Sequence, residues 1–267
     1  MKKSTKMPRT GFAEWVDKSP PPQRPPLPLT HITKGVVAHD IIKSGAVDPT
    51  ECSVFEIPLA YFFYGRPAYK YHAGTSVKLE ASCPFCFIFD GSLLAFANAI
   101  YPFDTGAFVA RMYNHVLDED FNVEDFTLGS DPERPEKLIS AAYLSRSDYV
   151  SGNRRDVKVD SAKPYELEAR SYLELITSPG RNEPDDRIGT IEAQFTGPVS
   201  LKDSLLAVVV PHTHWGIVDK SPMLEDLDKN GIEILPYEFV PGRSSEYYHT
   251  MLEAVVRKYC FDNGFLV

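Results

Sequence analysis

The segment that most restricts how this chain can fold is CSVFEIPLAYFFYGRPAYKY, which places seven aromatic residues between Phe55 and Tyr71. That much aromatic surface must face a core or a cleft rather than water. Aromatic residues favour extended backbone, and the breakers Pro58, Gly65 and Pro67 confine it, so a strand running into a rigid turn is expected. The rest of the chain can supply the core this strand needs. With 267 residues, 43% hydrophobic and 24% charged, it has the makings of one large domain or two small ones, and a mostly disordered or fibrous protein is excluded.

Charge and targeting signals narrow the partners. The net charge of -9, from 28 Lys and Arg against 37 Asp and Glu, repels a polyphosphate backbone at long range, so only a locally basic groove could hold nucleic acid. No apolar run approaches the roughly 20 residues a membrane-spanning helix needs, and the longest, Leu205 to Pro211, has strand length. No membrane partner is expected. The opening MKKSTKMPRT is basic but meets a proline tract instead of the apolar stretch of a secretory signal, which predicts a cytoplasmic location. That tract, SPPPQRPPLP, fixes φ and removes donors, so residues 1–28 are expected to form a flexible Pro-rich extension outside the core, able to dock on a partner. Residues 29–267 then form a single domain.

The four cysteines, Cys52, Cys83, Cys86 and Cys260, are too few for a disulfide framework and read as free thiols. Cys83-x-x-Cys86 has metal spacing but sits in the apolar CPFCFIF without a second ligand pair, and His212-Thr213-His214 follows a strand-ending proline. Buried thiols and a surface loop are the expectations, with no metal.

Along the chain, LTHIT reads as a strand, and VVAHDIIKSGAV as a helix with Val36, Val37, Ile41 and Ile42 at helical spacing before a Gly45 stop. CPFCFIF and residues 93–97 are further apolar elements, and Asp104, Thr105 and Gly106 in YPFDTGAF look like turn chemistry. The stretch from Tyr113 to Asp160 reads as helices joined by exposed loops. KPYELEARSYLELI is a helix with Leu167, Tyr172, Leu173 and Ile176 available for burial. GTIEAQF, LLAVVVP and IEILPY are strands, and a last helix runs from a Ser244 cap, with Met251, Leu252, Val255, Val256 and Tyr259 on one face, to Asn263-Gly264. Together these predict an α+β fold.

The dinucleotide, phosphate-loop, zinc-protease and nucleophile-elbow motifs are all absent, so the common nucleotide and hydrolase readings lose support. Three segments carry more information: L-T-H-I-T (Leu29 to Thr33), Y-F-F-Y-G-R-P-A-Y (Tyr61 to Tyr69) and R-I-G-T-I-E-A-Q-F (Arg187 to Phe195). Their order and character resemble ADP-ribosyltransferases of the histidine-tyrosine-glutamate kind, most closely the DNA-modifying toxins of the DarT type. The likeness runs topologically over residues 29–211, with literal identity in a few short words. It implies an ADP-ribosyltransferase-like α+β domain of split antiparallel or mixed β-sheets with flanking helices. The implied activity is mono-ADP-ribosyl transfer from NAD as substrate to a nucleic acid or a protein, by a toxin or defence effector with a possible antitoxin or partner protein. An NAD glycohydrolase and a non-catalytic binding module that keeps the cleft are the alternatives.

The chemistry makes the pattern intelligible. Breaking the bond from ribose C1′ to the nicotinamide nitrogen builds positive charge on the sugar, which a nearby carboxylate stabilises. The resemblance gives that role to Glu192; strand alternation by itself would make Glu192 an exposed strand residue. His31 and Thr33 are expected to hold ribose hydroxyls and Tyr69 to stack on nicotinamide, with Tyr64 and, less directly, Tyr61 also in the cofactor site. Each also has a structural reading, His31 as a core histidine and Tyr69 as simple packing. Arg66 stands where the family carries an arginine near the acceptor, and its other reading is a turn arginine paired with an acid. The segment lacks the serine and methionine that the toxins have before the last tyrosine, and Ile191 replaces their alanine, which leaves the acceptor open. The loop Ser178 to Gly189 and the pair Arg154 and Arg155 are further candidate contacts for the acceptor.

Overall fold

The computed structural model describes residues 9–68, 76–153, 155–178, 186–216 and 220–266. In chain order its elements are α1 (Gly11–Val16), β1 (Leu29–Lys34), α2 (Gly35–Ser44), β2 (Ala46–Val47), β3 (Thr50–Glu51), β4 (Pro58–Tyr64), β5 (Ser76–Val77), β6 (Pro84–Phe89), β7 (Ala99–Tyr101) and α3 (Thr105–Val109). They continue with α4 (Arg134–Ala142), α5 (Arg146–Val150), α6 (Leu167–Thr177), β8 (Glu192–Phe195), β9 (Val199–Ser200), α7 (Leu201–Ser204), β10 (Leu205–Pro211), α8 (Pro222–Lys229), β11 (Glu233–Tyr237), β12 (Arg243–Ser244) and α9 (Ser245–Asp262). The class is α+β, a mixed sheet with flanking helices.

The main sheet runs β11, β10, β6, β1, β4, β8, β7, with the short β3 added to β4. Among the described residues, only β10 and β11 pair in parallel, and the other ladders of this sheet are antiparallel. The apolar word PFCFIF becomes β6 between β1 and β10, with every residue buried, because a strand covered on both faces needs no polar alternation. The thiol of Cys83, just before it, is pushed up to about 11 by burial.

The ladder is thin at one join. β1 meets β6 over six residue pairs but β4 over only two, Leu29 with Tyr64 and Thr30 with Phe63. Beyond Thr30 the two strands part, which leaves a seam within a sheet that is otherwise a single ladder rather than two.

Helix α2 forms where periodicity predicts it and ends on Gly45, whose φ of 78° is the left-handed cap that glycine adopts without strain. Its buried face is Gly35, Ala38 and Ile41, whereas Val36 and Val37 are exposed. The tight passage from strand to helix decides this phase: the Gly35 N–H donates to the Cys83 carbonyl at 2.7 Å, which turns both valines outward. At the other end of the chain, the Ser244 side chain accepts from the Tyr247 N–H and starts α9, which buries Leu252, Val256 and Tyr259 and packs against β6, β10 and β11.

Over residues 9–28 the segment before β1 is not the flexible extension outside the core that was expected, and residues 1–8 lie outside the described residues. From Arg9 onward it is docked, with Phe12, Trp15, Val16 and Leu27 all buried. Phe12 lies 5.6 Å from the Phe126 ring and 5.3 Å from Tyr172 on α6. Arg9 pairs with the buried Asp125, Arg146 donates to the Pro25 carbonyl at 2.7 Å, and the Leu27 N–H donates to the Tyr64 hydroxyl at 2.8 Å. Proline content sets the local backbone of such a stretch; whether it packs depends on apolar surface supplied by distant elements.

Candidate functional site

Glu192 opens β8 and lies between Phe63 of β4 and Tyr101 of β7 in register. Cross-strand partners share a face, so Thr30, Phe63, Glu192 and Tyr101 form one row across β1, β4, β8 and β7. Glu192 is not the exposed residue that alternation suggests. It is 1% exposed, because β8 is covered on both faces.

Three donors hold the Glu192 carboxyl. The Thr105 N–H reaches Oε2 at 3.1 Å, the Thr105 hydroxyl reaches Oε1 at 2.8 Å, and Gln194 Nε2 reaches Oε1 at 2.7 Å. Desolvation pushes the Glu192 pKa up to about 8, the neighbouring Asp104 charge adds to the rise, and these hydrogen bonds oppose it. Asp104 is itself engaged: it caps α3 by accepting from the Ala107 N–H at 2.7 Å and pairs with Arg187 at 3.4 Å. Arg187, at the start of the third word of the sequence, is thus tied to the turn that holds Glu192.

Asp104 and Thr105 are the residues that sequence reasoning missed as site components. Turn chemistry was legible there, and the Asp104 cap agrees with it. That Thr105 meets a carboxylate 87 residues away, though, is settled only by the pairing of β7 with β8.

His31 lies on the other side of the row. Alternation from Thr30 sends its ring to the face of Phe62 and Phe87, at 5.3 Å and 6.4 Å, and Thr33 shares that face. The structure therefore joins His31 with Thr33 but not with Glu192. The His31 ring sits at the seam, its Nδ1 2.9 Å from the Tyr61 carbonyl. A carbonyl only accepts, so Nδ1 carries the proton, and desolvation lowers the pKa and keeps the ring neutral. Nε2 is then a hydrogen-bond acceptor.

Tyr61 is half-buried, and its hydroxyl donates to Cys52 Sγ at 2.7 Å; its pKa is raised, first by desolvation. Tyr64 does not serve a cofactor, which corrects the expectation. It is fully buried, donating to Glu136 at 2.6 Å while accepting the Leu27 N–H, so both capacities of its hydroxyl are spent on the fold. Arg66 matches its structural reading: 3% exposed, it pairs with Glu253 of α9 at 3.4 Å beneath Gly152 and Gly189. Tyr69, Arg154 and residues 179–185 of the loop before β8 lie outside the described residues. Among the described residues, no three His, Cys, Asp or Glu side chains come together as metal ligands.

No known protein family, curated protein or solved structure matches the chain.

Proposed function

We propose that the protein is an NAD-dependent mono-ADP-ribosyltransferase in which Glu192 is the catalytic carboxylate and a nucleic acid or a protein is the acceptor. The observation that carries this reading is the row Thr30, Phe63, Glu192: segments far apart in sequence end on the adjacent strands β1, β4 and β8, and the row contains a desolvated carboxyl. The mixed sheet with flanking helices is of the α+β class that the resemblance implies, in one main sheet where split sheets were expected.

Transfer breaks the bond from ribose C1′ to the nicotinamide nitrogen, the electron pair leaves with nicotinamide, and the acceptor nucleophile bonds to C1′. A low-dielectric carboxylate stabilises the developing positive charge far better than one in water. Glu192, whose raised pKa favours the protonated form in the resting protein, yields its proton to water as the positively charged end of NAD binds beside it, and the proton that the acceptor nucleophile releases on bonding to C1′ returns to the carboxylate. His31 and Thr33 lie on the opposite face of the sheet and take no part at the ribose on which Glu192 acts. Tyr61 and Phe63 supply aromatic surface on the Glu192 side. Tyr64 and Arg66 take no part in the chemistry.

Two observations favour a second reading, a non-catalytic binding module: Glu192 is almost fully buried, and His31 leaves the sheet by the opposite face. Incubation with labelled NAD and separate pools of DNA, RNA and protein decides between them. Transfer predicts label in one pool, abolished by Glu192→Gln. Stoichiometric free ADP-ribose with no labelled pool assigns a glycohydrolase, and NAD left intact after prolonged incubation at high protein concentration overturns both catalytic forms.

A further inference from the structure

The Glu192 carboxyl is held by two buried side chains, Thr105 and Gln194, and by the Thr105 backbone N–H. Thr105 is 0% exposed and Gln194 3%, and besides their bonds to Glu192 they bond to each other, Gln194 Nε2 donating to Thr105 Oγ1 at 3.3 Å. Gln194 Nε2 has no lone pair, so it donates to both neighbours in every state. The Thr105 hydroxyl is different. When Glu192 is ionised, the hydroxyl donates to it, as drawn by the 2.8 Å contact; when Glu192 is protonated, the same oxygen accepts the carboxyl proton. A hydroxyl can serve both states without moving, whereas a methyl serves neither.

We propose that Thr105 and Gln194 are positioning residues for Glu192, fixing its carboxyl in one orientation through the loss and return of its proton. This rests on the reading of Glu192 as the acid that acts on NAD. Among the described residues, the other ionisable groups around the carboxyl are Asp104, bound to Arg187, on the turn before α3, Tyr61 on β4, and Tyr101 on β7 with its partner Glu124.

The test uses the full chain with Thr105→Val, Thr105→Ser and Gln194→Met, and takes two readouts. The first is the titration of the Glu192 carboxyl carbon by NMR in protein labelled at glutamate, assigned by its disappearance in Glu192→Gln. The second is kcat and KM for NAD. The bond donated to the charged carboxylate is the stronger of the two, so loss of the hydroxyl in Thr105→Val should move the titration midpoint up by about one pH unit. It should also lower kcat by about 10- to 100-fold at unchanged KM, with Thr105→Ser restoring both. Gln194→Met should shift the midpoint in the same direction, and it carries the test if Thr105→Val does not fold. A folded valine variant that titrates like the wild type, or a serine variant that behaves like valine, overturns the proposal. If the wild type consumes no NAD, the catalytic reading falls, while the titration still decides whether Thr105 and Gln194 hold Glu192.

Discussion

Glu192 ties the stability of the protein to pH in an unusual direction. Burial raises its pKa from 4.5 to about 8, so over that interval the folded chain keeps a proton that the unfolded chain has released. The contribution is complete below about pH 4.5 and is lost as pH climbs through 8, with a slope of at most about 1.4 kcal/mol per pH unit. Urea unfolding at pH 5, 6.5 and 8 should show the wild type weakening relative to Glu192→Gln across this range; parallel curves for the two proteins would contradict the assignment. Tyr64 gives the opposite kind of prediction. Tyr64→Phe leaves Glu136 and the Leu27 N–H each short of a buried partner, which costs about 1–3 kcal/mol. Stability should fall while the KM for NAD stays put, since the ring serves the fold and not a ligand.

At the scale of elements, the stretch that docks ahead of β1 is the departure from expectation with most consequence. Its last part passes so close to the turn at Gly91 that a Cβ there would lie 2.2 Å from the Leu27 carbonyl oxygen. That oxygen belongs to backbone held by Tyr64, so it cannot swing aside, and Gly91→Ala should lose about 1–3 kcal/mol in chemical denaturation. An alanine variant as stable as the wild type would mean that the Pro-rich stretch is not held against the sheet. The helices α2 and α9 show how much of an element is local. Their existence and ends were readable from spacing, the Gly45 stop and the Ser244 cap. The face that α2 buries was not readable, because a rotation imposed by its junction with β1 outweighs the apolar character of Val36 and Val37.

Across the whole molecule, a chain of rings links the amino-terminal helix to the site. Phe12 of α1 touches Phe126, Phe126 lies 5.3 Å from Phe103, and Phe103 directly precedes Asp104 and Thr105. Removal of residues 1–17 should therefore lower the melting temperature and NAD turnover together, since loss of a buried Phe or Trp alone costs about 3–5 kcal/mol. A truncated chain that melts with the full-length protein would show α1 to be dispensable. The same connectivity explains what could be read in advance. Local pattern identified most of the main strands and helices and the buried run at β6, because residue periodicity and backbone preference act over a few positions; Glu192 was singled out by the resemblance, since alternation alone would make it an exposed strand residue. The partners of that acid, the spent hydroxyl of Tyr64, the opposite outlook of His31 and the docking of Phe12 depend on which strands become neighbours. Burial and pairing between residues many tens of positions apart arise only when the sheet closes, and that is why tertiary structure alone decided them.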